Sequence, residues 1–160
     1  MDELVQIFQA LDQWVARENI RARVEGTPAY RSCRIRVLGQ SALWAARANL
    51  TLTITQDLDA YGDYEWAVQK ELERLLAEHD KVLDPHGHEV WMPRETRYNP
   101  LYQGTFVEAL VADADAVLIS KALKAAEKNR ALVTEYLAKD ASERFFELAR
   151  KYRVDLEQFV

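Results

Sequence analysis

The amino-acid sequence predicts an α/β (α+β) chain, a small mixed sheet with flanking helices that leads into a helical C-terminal part. Over residues 1–112, apolar residues at helical spacing alternate with short stretches in which every second residue is apolar. From Asp115 onward the pattern is almost continuously helical. Hydrophobic residues make up 49% of the 160, enough to give a chain of one-domain length a real core.

Leu4, Ile7, Phe8, Leu11, Trp14 and Val15 share one face of an opening helix. In "RSCRIRVLG", Cys33, Ile35 and Val37 alternate with Arg34 and Arg36, which predicts a strand ended by Gly39. "SALWAARA" reads as a short helix launched from Ser41, and "LTLTITQDLD" as a second strand. "DYEWAVQKELERLLAEHD" is a helix, with Asp63 as its N-cap and Trp66, Leu72, Leu75 and Leu76 available for packing. "KVLD" and "HEVWMP" read as two strands around a Pro85–Gly87 turn, "TRYNPLYQ" as a loop because of Asn99–Pro100, and "TFVEALVA" as another strand. "AVLISKALKAAEKNRALVTEYLAK" and "ASERFFELARKY" complete the chain as helices. The texture changes near Ala112–Asp115, but no repeat, low-complexity tract or Gly/Ser linker intervenes. One domain over 1–160 is expected, with an α/β part at 1–112 and a helical part at 113–160.

A net charge of -5 argues against a protein that coats nucleic acid by charge alone. Arg21, Arg23, Arg31, Arg34 and Arg36 cluster locally and could meet an acceptor's phosphates, although an ordinary charged surface is the simpler account. The lone Cys33 can form no internal disulfide and its alternation predicts a buried thiol. The acidic, amphipathic N-terminus lacks a signal-peptide pattern, and no apolar run reaches membrane-spanning length. A soluble, cytoplasmic setting with no membrane partner is expected.

"TLTITQDLDAYG" carries the chemistry. In a strand, alternate residues share a face, so Leu50, Leu52, Ile54, Gln56 and Leu58 lie opposite Thr51, Thr53, Thr55, Asp57 and Asp59. Asp57 and Asp59 would stand roughly 7 Å apart at the strand end, where a divalent cation would relieve their repulsion; hard oxygen ligands of this kind suit Mg²⁺ on substrate phosphates. D-x-D alone also describes a strand that surfaces in a polar turn at Tyr61–Gly62. Its context adds "RVLGQSALW" upstream, where Gly39 would admit backbone amides to an anion and the helix start at Ser41 would offer unpaired N–H groups.

Together these residues resemble the nucleotidyltransferase superfamily, the fold shared with polymerase β, and within it the small bacterial and archaeal members that include abortive-infection toxins. Gly39-Gln40-Ser41 stands where those proteins carry a Gly-Ser-type turn, and Thr55-Gln56-Asp57-Leu58-Asp59 where they carry Thr-x-Asp-x-Asp. "LISKALKAAEKNR" matches a later helical motif through Leu118, Lys121, Lys128 and Arg130, so the resemblance covers roughly residues 30–137. It departs at Gln40 in the turn, at Leu52 where an arginine is frequent, and at Asn129 in place of an aspartate. The resemblance implies a nucleoside triphosphate held at Gly39, Gln40, Ser41 and Lys121. It implies one or two Mg²⁺ on Asp57 and Asp59, and transfer of the nucleotidyl group to a hydroxyl of a protein, RNA or small molecule. It also implies a third carboxylate from a neighbouring strand, for which Glu89, Asp84 and, less strongly, Glu108 are candidates. The rival expectation is a degenerate binding or regulatory module, for instance of a toxin–antitoxin pair with a protein partner. A further one is a homo-oligomer joined through Phe145, Phe146 and Leu148, which could equally close the chain's own core.

Two other patterns have simpler accounts. Asp84, His86 and His88 could share one side of an extended segment as zinc ligands, but Pro85 and Gly87 mark a turn. Lys121, Lys124 and Lys128 line one helical face, either solvated or turned to a triphosphate. Trp14, Trp44, Trp66 and Trp91 sit in amphipathic segments and are expected in the core.

Overall fold

The computed structural model describes residues 2–46, 48–52, 56–139 and 141–160. Among these, six helices surround a four-stranded mixed sheet and a separate two-stranded one. Helix α1 (Asp2–Glu25) buries Leu4, Ile7, Phe8, Leu11 and Val15, the stripe its spacing predicts, and packs against α3 (Trp66–Ala77) and the sheet. Strand β1 (Cys33–Val37) is central: it runs parallel to β6 (Val107–Ala112) and antiparallel to β3 (Ala60–Gly62), and β5 (Tyr98–Gln103) closes the order β3-β1-β6-β5. Cys33, Ile35 and Val37 face the core while Arg34 and Arg36 face outward, and burial pushes the Cys33 thiol up to about 12.

Helix α2 (Gly39–Ala45) begins at Gly39, two residues before the expected start, and packs on α4 (Ala114–Lys124). The expected second strand is divided. Thr53, Ile54 and Thr55 lie outside the described residues; Asp57–Leu58 forms β2, which pairs in parallel with β4 (Val82–Leu83), and the chain then joins β1 through β3. Tyr61–Gly62 is therefore strand rather than turn.

"TRYNPLYQ" is also strand rather than loop. As β5 it lies at the sheet edge, where Pro100 leaves no interior ladder bond unmade, and a register shift between Pro100 and Tyr102 absorbs the proline. "HEVWMP" is not a strand: Gly87–Glu89 forms a 3-10 turn, held by Glu89 N–H donating to the His86 carbonyl at 2.9 Å. Helix α3 starts at Trp66, with Glu65 in the cap position, because Asp63 instead accepts the Arg34 N–H at 2.7 Å. Trp66 and Trp44 stand 73% and 47% exposed, so neither joins the core, whereas Trp14 stacks on Tyr30.

The long C-terminal helix is broken by a turn over residues 125–129 between α4 and α5 (Arg130–Lys139). Buried Asn129 pins that turn, its side chain donating to the Ala125 carbonyl at 2.9 Å. Ser142 caps α6 (Glu143–Lys151) through the Phe145 N–H at 3.0 Å, and Phe145 and Leu148 are buried in the chain's own core. One hydrophobic cluster runs from Leu4 to Phe159 and draws on both the α/β and the helical parts. Among the described residues, no helix is long and apolar enough to cross a membrane.

Candidate functional site: a carboxylate pair beside a lysine groove

The register of the small sheet assembles the site. Asp57 pairs with Val82 and Leu58 with Leu83, so Asp59 and Asp84 follow as the next pair. The Asp84 N–H donates to the Leu58 carbonyl at 3.0 Å, and the carboxyl of Asp84 shares a hydrogen bond with that of Asp59. Asp59 is fixed from its other side as well, its carbonyl accepting the Leu38 N–H at 2.7 Å. Two carboxyls can share a hydrogen bond only if one holds a proton. Burial first, then the hydrogen bond to Asp84, pushes the Asp59 carboxyl up to about 6. Asp84 moves below its usual range, chiefly because its carboxylate accepts the His86 N–H at 2.8 Å.

Gly39 makes room for this pair. Its φ is +60°, a conformation costly for other residues, and a Cβ there would run into Oδ2 of Asp59 and stand 3.0 Å from its Cγ. Ser41 is buried and its Oγ donates to the Asp57 carbonyl at 3.4 Å, so this hydroxyl ties α2 to the D-x-D backbone. Gln40 is half-buried on the first turn of α2, and Asp57 is exposed on the same side of the chain as Asp59.

Lys121 approaches from α4. It follows buried Ser120, and its own burial lowers the ammonium's affinity for a proton, against the attraction of Asp59. Lys121, Lys124 and Lys128 line a groove of about 500 Å³ with Glu89, Trp91, Ser120 and Asn129. Lys128 lies in the turn after α4 rather than on its helical face, yet still borders the groove. Among the described residues, no carboxylate stands within ion-pair distance of these three lysines.

The third carboxylate that the structure brings to Asp59 is Asp84. Glu89 faces His86 Nδ1 at 3.2 Å and His88 Nε2 at 3.7 Å on the 3-10 turn, and Glu108 pairs with Arg34 at 3.4 Å across the β1–β6 register. Glu89 had the stronger sequence signal because "HEVWMP" looks like a strand; it stands instead on the 3-10 turn, where it lines the groove with Lys121. Among the described residues, no group of three or more His, Cys, Asp or Glu side chains is arranged to hold a metal ion, so Asp84, His86 and His88 form no zinc set. Three of the five N-side arginines have partners within the fold: Arg21 meets Glu18, Arg34 meets Glu108, and Arg36 lies over the rings of Tyr61 and Tyr98.

Asp59 and Asp84 offer hard oxygens whose repulsion a divalent cation would relieve, and Gly39 lets the Asp59 carboxyl pack close to the backbone. Mg²⁺ commonly takes one or two carboxylates and completes its shell with water and phosphate oxygens, so this donor pair fits it. Compared with known proteins, the chain matches no family model, no curated protein and no solved structure.

Proposed function

We propose that the chain is a nucleotidyltransferase-like protein that binds a Mg²⁺-nucleoside triphosphate and transfers its nucleotidyl group to a hydroxyl acceptor, the new bond forming to the α-phosphorus as the bond to the β-phosphate breaks and pyrophosphate leaves. The observation that carries this reading is Asp84: a carboxylate from a neighbouring strand meets the D-x-D carboxylate Asp59, as the chemistry requires. Support comes also from Gly39, whose missing side chain lets the Asp59 carboxyl pack against the start of α2, and from the lysine groove reached through Lys121. Asp59 and Asp84 would hold the cation, which when bound supplies charge neutralisation at the transferred phosphate. Lys121 and Lys124 neutralise the polyphosphate and orient it along the groove. Asp84, drawn below its usual range by the His86 N–H, stays ionised and suits a cation ligand, while the proton of the acceptor hydroxyl passes to solvent. A cytoplasmic setting belongs to this reading.

Calorimetric titration of ATP, CTP, GTP and UTP with Mg²⁺ tests it. Magnesium-dependent binding is expected in the wild type and a loss of at least about tenfold in Asp59→Asn and in Asp84→Asn. Binding should strengthen as pH rises through about 6, because the cation displaces the proton that the Asp59–Asp84 pair shares. Absence of any nucleotide binding by folded wild-type protein sinks the proposal. Binding without transfer of labelled nucleotide to any acceptor would leave a regulatory binding module instead.

A further inference from the structure

We infer that Trp91 is the nucleobase platform of the lysine groove and gives it a preference for purine nucleotides. This rests on the reading that the groove takes a nucleoside triphosphate. The sequence places Trp91 among four tryptophans with no feature to single it out. The structure separates them: Trp14 is stacked on Tyr30, Trp44 and Trp66 are on open surface, and Trp91 alone among them lines the groove with Lys121, Lys124 and Lys128.

The indole is held rigidly. Its ring meets the ring of Tyr152 edge-on, with centroids 5.2 Å apart and planes at 79°. Tyr152 is itself fixed, its hydroxyl accepting the Arg94 N–H at 3.1 Å and donating to Glu95. The Trp91 backbone is tied to α4 by Ser120 Oγ, which donates to its carbonyl at 2.5 Å. A fixed, half-buried ring at the wall of a groove loses little entropy when a flat ligand stacks on it.

One face of that ring is in use by a lysine. The Lys124 ammonium stands 5.2 Å from the indole centroid, a cation–π contact of modest strength at a partly exposed site. A base entering the groove displaces the ammonium from the ring, and the same lysine, three residues from Lys121 on α4, is then released toward the phosphates. The exchange keeps both halves of the ligand matched: aromatic face to base, cation to anion. Local charge favours such a ligand. Three lysines against the single carboxylate of Glu89 give the groove a net positive charge in a chain whose formal charge is -5. Its volume of about 500 Å³ lies within the range that nucleotide-sized ligands occupy. A purine covers more of an indole than a pyrimidine does, which sets the direction of the preference.

The test compares ATP, CTP and inorganic triphosphate, each with Mg²⁺, by calorimetry on the full chain, its Trp91→Ala variant and its Trp91→Phe variant, with circular dichroism to verify folding. Wild type should bind ATP roughly tenfold more tightly than inorganic triphosphate, with CTP between them, since base–aromatic stacking carries about that much. Trp91→Ala should bring ATP down to the level of inorganic triphosphate and leave the latter unchanged. Trp91→Phe keeps an aromatic face and should keep part of the advantage; it carries the test if the alanine variant is unfolded. Equal affinities of wild type for ATP and inorganic triphosphate overturn the platform while leaving the groove a polyphosphate site. An equal loss for both ligands in the variants overturns it too, by making Trp91 structural. If wild type binds neither ligand, the nucleotide reading fails and takes the platform with it.

Discussion

Asp12 and Asp59 are aspartates brought to the same sheet by tertiary structure, and they are treated in opposite ways. Asp12 projects from α1 into the β5–β6 hairpin, where it accepts the N–H groups of Phe106, Val107 and Thr105 at 2.7, 2.9 and 3.2 Å and the Tyr102 hydroxyl at 3.1 Å. Every partner is a donor, so the oxygens of this buried carboxylate are satisfied by hydrogen bonds. Asp59 is given a second carboxyl as its partner, a lysine too far away to form an ion pair, and a glycine pressed against it. Asp113 and Asp115 follow the pattern of Asp12: they share Arg144, and Asp113 also caps α4 by accepting the Ala116 N–H at 3.2 Å. A carboxylate that stabilises a fold is surrounded by donors. One left facing another acceptor is suited to a cation or a moving proton, and that separates Asp59 from Asp12.

The contrast is sharpened most by removing Asp12. Asp12→Ala strands three backbone N–H groups, that of Val107 buried and that of Phe106 partly so, and should lower stability by about 3 kcal/mol in urea denaturation. A loss no larger than that of an exposed aspartate would break the comparison. Gly39→Ala is expected to come next. The left-handed φ and the collision with Asp59 should cost about 2 kcal/mol and displace the carboxyl, so nucleotide binding should fall more than stability does.

Asp59→Asn should have the smallest effect on stability and at pH 7 the opposite sign. The amide can donate to Asp84 without a shared proton, so the variant should be as stable as wild type or more so by up to about 1 kcal/mol. The pH dependence has a definite sign. Asp59 stands at about 6 in the folded chain against 3.8 as its ordinary value, so the folded state holds a proton that the unfolded state releases. Its contribution is complete below about pH 4 and is lost as pH rises through about 6. Wild type should therefore lose stability relative to Asp59→Asn between pH 4 and 7, by denaturation at matched ionic strength. A constant difference across that window would mean that the two carboxyls do not share a proton.

Much of the fold was legible along the chain because its signals are local. The stripe from Leu4 to Val15, the alternation in Cys33–Val37 and Val107–Ala112, and the burial of Cys33 and Phe145 all follow from residues a few positions apart. The same locality explains the errors. "TRYNPLYQ" reads as a loop until it is known to lie at a sheet edge, where a proline does little harm. "HEVWMP" alternates like a strand, but the chain turns at Gly87–Glu89. Nothing in "KAAEKNR" announces the turn at 125–129, which is pinned by the Asn129 side chain.

By itself the sequence determined the amphipathic helices, the apolar strands and the D-x-D step at Asp57 and Asp59, since each is a periodicity that the backbone converts directly into a face. Tertiary structure alone decided which carboxylate would join them. Asp84 and Asp59 are separated by a whole helix, α3, and meet because β2 and β4 align in parallel, with Leu58 and Leu83 both buried in the core. Burying those two leucines fixes the register, and in an extended pair the register carries the next residue of each strand to the same place. The same holds for Trp91 and the lysines, brought to one groove when Ser120 on α4 ties down the segment after the 3-10 turn. Pattern specifies which side of an element is buried; only packing between elements specifies what stands opposite.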